Sequence, residues 1–331
     1  MSTLSVLQRL AGRPLVRRAA DVFLSRQARR RVAQLDRCPV ARVQQQTLLR
    51  LVRRAQHTRF GRLHDFAGIH SVADYQRRVP LRDYEAFWTE FWQPVFPHLD
   101  GITWPGLIPY FALSSGTTSG STKYIPVSRE MLASNRRAAL TTVAFYQAAY
   151  PDLRLFRGRL FFLGGSTELQ ALAPREGEAP AEPQAAGSTG ASPSRGRNER
   201  VLGGDLSGIA AREVPSVLRP YTFPPLELAL LRDWETKMQR LAERSATLPI
   251  TLVGGVPSWL LVLFERVLQL TGKERLIDVW PGLRLIVHGG TKFDPYRDLF
   301  RRLVGSDGVH FAETYPASEG FLATEDPRHH L

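Results

Sequence analysis

The chain has 331 residues, 43% hydrophobic and 23% charged, enough apolar material for one large globular domain or two ordinary ones. A single cysteine, Cys38, excludes an internal disulfide and points to a reducing, cytoplasmic compartment. No apolar run approaches the roughly 18 residues that a membrane helix needs, and no signal-peptide pattern opens the sequence.

The net charge of +13 is unevenly spread: residues 1–60 hold fourteen Arg and no Lys, against Asp21 and Asp36 alone. The body beyond residue 60 is nearly neutral, which argues against a nucleic-acid-binding protein. Within residues 4–35, Leu4, Leu7, Leu10, Leu15, Val16, Ala19, Val22 and Phe23 recur at helical intervals, and Pro14 splits the stretch into two helices. Residues 40–57 continue the pattern with Val43, Leu48, Leu49, Leu51 and Val52. The first reading of residues 1–60 is a basic helical segment packed on the domain with a solvated arginine face. An anionic membrane surface is the second, and a nucleic-acid arm or transit sequence the third. Residues 61–331 are expected to form the main domain.

Short helices surround an extended turn over 71–91, with Asp83 capping the helix at 84–92. The apolar run Leu107–Leu113 then breaks into a loop of small and hydroxylated residues: Ser114, Ser115, Gly116, Thr117, Thr118, Ser119, Gly120, Ser121 and Thr122. The loop ends at Lys123, and Tyr124–Val127 is a second extended run. Many N–H and O–H donors and one ammonium suit a polyphosphate. The loop is not a Walker A loop, because its lysine comes three residues after Gly120 and Pro126 forbids a helix there. A strand–loop–strand hairpin is the expected form.

Ser128 caps a helix over 129–150, stopped by Pro151, and Arg159–Leu163 is a buried strand ending at Gly164-Gly165. Residues 173–200 contain no aromatic, Leu, Ile or Val, so they read as a disordered insertion in a surface loop. A helix spans Leu226–Ala246. Ile250–Val253 is a strand before Gly254-Gly255, and Pro257 to Gly272 frames a helix. Leu283–His288 is a strand before Gly289-Gly290, a helix follows from Asp294 to Gly305, and Val309–Ala312 leads into a loop at 313–320. Strand, glycine turn, helix, strand is the rhythm of an α/β domain with its ligand at the strand ends. In the loop Glu313-Thr-Tyr-Pro-Ala-Ser-Glu319, a tyrosine can lie against a purine and Glu319 can ligate Mg²⁺ among phosphates.

The stretches at 114–128 and 313–320 together resemble the GH3 family of acyl-acid amido synthetases, within the adenylate-forming superfamily. The resemblance extends to Val-Pro-Leu-Arg-Asp-Tyr-Glu at 79–85, Val-Gly-Gly-Val-Pro-Ser-Trp at 253–259 and His-Gly-Gly-Thr-Lys at 288–292. It implies the large N-terminal domain of the adenylate-forming fold, with mixed sheets flanked by helices. It also implies a reaction: a carboxylic acid and ATP give an acyl-adenylate and pyrophosphate, and an amine such as an amino acid then displaces AMP. By the same resemblance Ser114, Ser115, Gly116, Thr117, Thr118, Gly120 and Lys123 would hold the β- and γ-phosphates. Gly289 and Gly290 would admit the adenine beside Tyr315, with Thr314 and Ser318 near the α-phosphate and Mg²⁺ on Glu319. Trp259, Leu260 and His288 would line the acyl pocket. A backbone-bonded histidine at a strand end is the other reading of His288. The chain stops eleven residues past Gly320, without the family's third motif and C-terminal lid domain. The expectation is therefore a truncated synthetase whose lid is missing or a separate chain. A nucleotide-binding protein without catalysis and an acyl-CoA ligase are the alternatives.

Overall fold

The computed structural model describes residues 13–115, 122–165, 169–173 and 200–329. Pro14 occupies the first turn of helix α1, Pro14–Asp36, as the start of the second of the two expected helices; the first lies outside the described residues. Helices α2 (Val40–Ala55), α3 (Arg59–Leu63), α4 (Val72–Arg78) and α5 (Tyr84–Phe87) follow. The Thr58, Ser71 and Asp83 side chains cap the last three by accepting from Gly61, Asp74 and Ala86 N–H. The expected helix over 84–92 passes at Trp88 into a π turn ending at Trp92.

Strand β1, Tyr110–Ser115, pairs antiparallel with β2, Thr122–Val127, so the expected hairpin is present. Helix α6, Arg129–Ala149, begins at once because the Ser128 hydroxyl accepts from Met131 N–H. Strands β3 (Arg159–Phe162), β4 (Gln170–Ala171) and β5 (Leu202–Gly204) precede α7, Leu206–Arg212, and β6, Thr222–Phe223. The single helix expected over 226–246 is two: α8, Leu226–Ala229, and α9, Trp234–Ala246. Asp233 accounts for the break, since its carboxylate accepts from Thr236 N–H and so starts a new helix.

The remainder runs β7 (Ile250–Gly255), α10 (Pro257–Thr271), α11 (Leu276–Val279), β8 (Leu285–Gly289), α12 (Asp294–Val304), β9 (His310–Ala317) and β10 (Gly320–Thr324), with helices between the parallel strands. Gly272 and Gly305 close α10 and α12 with φ of 64° and 68°, a conformation that costs glycine nothing. Residues 313–317, expected as loop, are strand. Glu313 and Thr314 pair with β8, Thr314–Ala317 fold back on β10, and these ladders outweigh the turn propensity of Pro316.

The strands form two sheets, β2-β1-β5-β4 and β10-β9-β8-β7-β3-β6. Within the second, β6, β3, β7, β8 and β9 run parallel. Its central strands β7 and β8 are buried on both faces, as their unbroken apolar runs require. Phe161, Val253 and Ile286 join the core beneath α9 and α10 with Leu260, Phe264 and Trp280. Leu252 and Leu285 point the other way, toward Tyr146 of α6 and Leu155.

Candidate functional site

Three neighbouring parallel strands end in glycine pairs on one edge. Phe162 of β3 lies opposite Gly254, Gly255 opposite His288, and Gly289 opposite Thr314 of β9. A Cβ on Gly289 would sit 2.2 Å from the Thr314 carbonyl oxygen, so glycine there permits the close approach of β8 and β9. Gly290 adopts φ 85° and turns the chain away. Tyr315 is 60% exposed, an unusual state for a tyrosine on a paired strand. The Thr314 hydroxyl donates to the His288 carbonyl at 3.0 Å and pins β9 to β8. Ser318 and Glu319 form the tip of the β9–β10 hairpin, with Glu319 exposed.

Helix α6 clamps this hairpin. Asn135 Oδ1 accepts from Phe321 N–H at 3.1 Å, and Thr142 shares a hydrogen bond with Thr324 at 2.8 Å. The Tyr146 hydroxyl lies 2.8 Å from Glu325 Oε2, and that same oxygen accepts from Glu313 N–H. Burial, followed by the Glu325 carboxylate, pushes the Tyr146 pKa up, so the phenol stays protonated as the donor. Since α6 starts where β2 ends, one rigid helix joins the β1–β2 hairpin to the β9–β10 hairpin.

Lys123 opens the second strand of that first hairpin, opposite Ser114, and its ammonium lies over the Tyr84 ring, 5.0 Å from the centroid. The Tyr84 hydroxyl accepts from Tyr124 N–H at 2.9 Å, so the segment at 79–85 buttresses β2. Ser115 pairs with Thr122 through the backbone. Gly116, Thr117, Thr118 and Gly120 lie outside the described residues, as do nearly all of residues 173–200, expected as an insertion.

His288 is buried, its ring stacked 3.7 Å from Phe293, and its Nδ1 has no hydrogen-bond partner. Burial, then the nearby Arg297, lowers its pKa to about 4, so the ring is neutral at pH 7. The unfolded chain binds this proton below about pH 6.5, whereas the folded chain binds it only near pH 4. This group's contribution to stability is therefore complete above pH 6.5 and is lost as the pH falls through 4. We expect His288→Gln to remove up to about 3 kcal/mol of that acid destabilisation, read from urea unfolding at pH 7 and pH 4.5. An unchanged pH dependence in the variant would refute the assignment.

Trp259 is half-buried against Trp234, with ring centroids 5.4 Å apart, and lies beside Gly165. Leu260, expected in the acyl pocket, is fully buried in the large core, where it packs under Gly255. It is a core residue, because the helical turn after Pro257 directs it inward while Trp259 stays at the surface.

Sequence reasoning missed Lys237. It is fully buried, and its ammonium donates to the carbonyls of Gly164 (3.1 Å), Gly165 (2.6 Å) and Ala229 (2.7 Å). Burial lowers its pKa to about 8, with the Asp205 carboxylate acting in the opposite sense. Asp205 caps α7 through Ser207 N–H, and the Ser207 hydroxyl accepts from Gly165 N–H at 3.1 Å. The signal was in the sequence: Lys237 occupies the apolar stripe of α9 between Trp234 and Leu241, where a cation needs buried acceptors.

Glycine-ended parallel strands, an exposed tyrosine beyond them and a separate hairpin carrying a lysine make up a mixed α/β domain of two sheets flanked by helices. The chain belongs to the GH3 family: the model of the GH3 family N-terminal domain matches residues 31–309. Among solved structures it is similar to the acyl acid amido synthetase AtGH3.15 in complex with 2,4-DB, with a TM-score of 0.62 at 15% identity over 85% of this chain and 53% of that one. A second GH3.15 acyl acid amido synthetase structure gives a TM-score of 0.62 at 14% identity over 86% of this chain and 55% of that one. The chain thus spans about half the length of the structures it matches. No curated protein matches it in sequence.

Proposed function

We propose that the chain is the adenylating domain of an ATP-dependent acyl-acid amido synthetase of the cytoplasm. A carboxylate oxygen attacks the α-phosphorus of ATP, the bond to the bridging oxygen breaks, and pyrophosphate leaves with that electron pair. An amine nitrogen then attacks the acyl carbon, AMP departs, and the nitrogen gives up a proton. The observation that carries the reading is the exposed Tyr315 beyond Gly289-Gly290, in a chain matched to the GH3 domain.

In this reading the purine stacks on Tyr315. Lys123 and the 114–120 loop hold the β- and γ-phosphates, where charge builds as pyrophosphate leaves. Glu319 is exposed and without a hydrogen-bonded or ionic partner among the described residues, which suits a carboxylate that shares Mg²⁺ with phosphates. Bound there, the ion would neutralise phosphate charge. Among the described residues no group of three or more acidic, His or Cys side chains could cage a metal alone, consistent with binding through the nucleotide. Thr314 spends its proton on the His288 carbonyl, leaving Ser318 as the free hydroxyl near the α-phosphate. Trp259 and the edge beside buried His288 line the acyl pocket.

Exchange of labelled pyrophosphate into ATP, with a panel of carboxylic acids, tests the proposal. The assay is run with the chain alone and with the C-terminal domain of a GH3 relative added, because a closing domain excludes water from such sites. We expect acid-dependent exchange, larger when that domain is present. ATP binding by calorimetry with no exchange under either condition would leave a nucleotide-binding protein without catalysis.

A further inference from the structure

The inner face of α1 packs on the domain. Asp21 accepts from Phe156 N–H at 2.9 Å, and Arg17 donates to the carbonyls of Phe156 and Gly158. Ser25 meets Gln147, and Ala28 and Val32 pack on Ala144 of α6. Asp36 pairs with Arg328 at 2.9 Å. Both acidic residues of the helix are thus committed, one inward and one at its end.

The outer face differs in kind. Leu15, Val22 and Phe23 are 77%, 52% and 64% exposed within little more than two turns. At 3.6 residues per turn they share a face with Arg26, Arg29 and Arg30, all exposed and with no acid among them. A merely solvated face explains the arginines and leaves the three large apolar side chains unexplained. A nucleic-acid backbone would likewise gain nothing from Leu15 and Val22. An apolar strip bordered by cations fits the plane between lipid headgroups and acyl chains, where guanidinium groups reach phosphate from long stems.

We propose that the outer face of α1 is a docking surface for an anionic lipid bilayer, with Leu15, Val22 and Phe23 entering the headgroup boundary and Arg26, Arg29 and Arg30 on lipid phosphates. No described helix is long and apolar enough to cross a membrane, so the contact is peripheral. It is independent of the adenylating reading and fails or survives separately from it.

The test is co-sedimentation of the full chain with phosphatidylcholine vesicles, with and without phosphatidylglycerol. The chain should pellet only with the anionic vesicles, and less as salt shortens the Debye length. Replacing Arg26, Arg29 and Arg30 by Gln should lower the partition coefficient about a hundredfold, at the roughly 1 kcal/mol that each basic residue contributes at such a surface. Val22→Ser with Phe23→Ser should weaken binding while the melting temperature holds, because neither side chain is in the core. Four results would each overturn the proposal. The wild-type chain could stay in solution with anionic vesicles. The double serine variant could bind as the wild type does, or could turn a dimer into a monomer in sedimentation velocity, which would make the face a self-interface. A DNA duplex could bind as tightly as the vesicles and without need of Phe23.

Discussion

Replacing Lys123 by alanine should weaken Mg-ATP binding by about ten- to a hundredfold, the range of one charged hydrogen bond at about 1.5–3 kcal/mol. The position, more than the residue type, makes the effect large. Lys123 is the first lysine after the 114–122 run and sits opposite Ser114, at the loop end of the hairpin, where the strand pairing fixes its backbone. The Tyr84 ring lies 5.0 Å from its ammonium and supports the cation without taking its N–H donors. In the proposed reading those donors meet the departing pyrophosphate, so turnover should fall further than binding. Lys123→Arg should recover part of the affinity, since it restores the charge with a different fork of donors. Isothermal calorimetry on the three proteins decides the matter. Wild-type affinity in Lys123→Ala would remove the hairpin from the nucleotide site, and the proposed function would lose its phosphate contact.

Lys237→Met should destabilise the domain by about 3–5 kcal/mol, at the upper end of single substitutions, because it leaves one buried and two part-buried carbonyls without a donor. Methionine fills a similar volume, so the loss measures the donors and not a cavity. Two of those carbonyls belong to Gly164-Gly165, the turn beside Trp259 at the end of β3. The same residue carries a pH signature. Its folded pKa of about 8 lies below the ordinary 10.5, so between those values the unfolded chain holds the extra proton. Its contribution to stability therefore grows as pH rises from about 8 to 10.5, and Lys237→Met should lose that slope. Urea unfolding at pH 7.5 and pH 10 measures both effects. A loss below about 1 kcal/mol would mean that water replaces the ammonium and that the turn does not depend on it.

Local chemistry accounts for what could be read in advance. Ser128, Asp83, Gly272 and Gly305 mark helix ends through their own side chains or their freedom at positive φ, and each does so in the structure. The strands β7 and β8 were legible because burial on both faces leaves nearly unbroken apolar runs. Non-local pairing was not legible. The run 313–317 carries a proline and polar residues that favour a turn, yet it is strand because β8 and β10 flank it. The break between α8 and α9 turns on the capping of Thr236 N–H by Asp233, which a continuous helical pattern of residues conceals. Leu260 and Trp259 are adjacent, and only packing separates a core side chain from a surface one.

The sequence by itself determined the α/β alternation, the hairpin with its lysine and the GH3 membership, because these rest on short-range patterns and motif spacing. Tertiary structure alone decided which groups act on one another. It set α6 across both hairpins, buried Lys237 under three carbonyls, placed Tyr84 beneath Lys123 and turned Leu15, Val22 and Phe23 outward. The physical reason is the same in each case: burial and partnership depend on residues far apart in the chain, and a side chain's chemistry follows from what surrounds it.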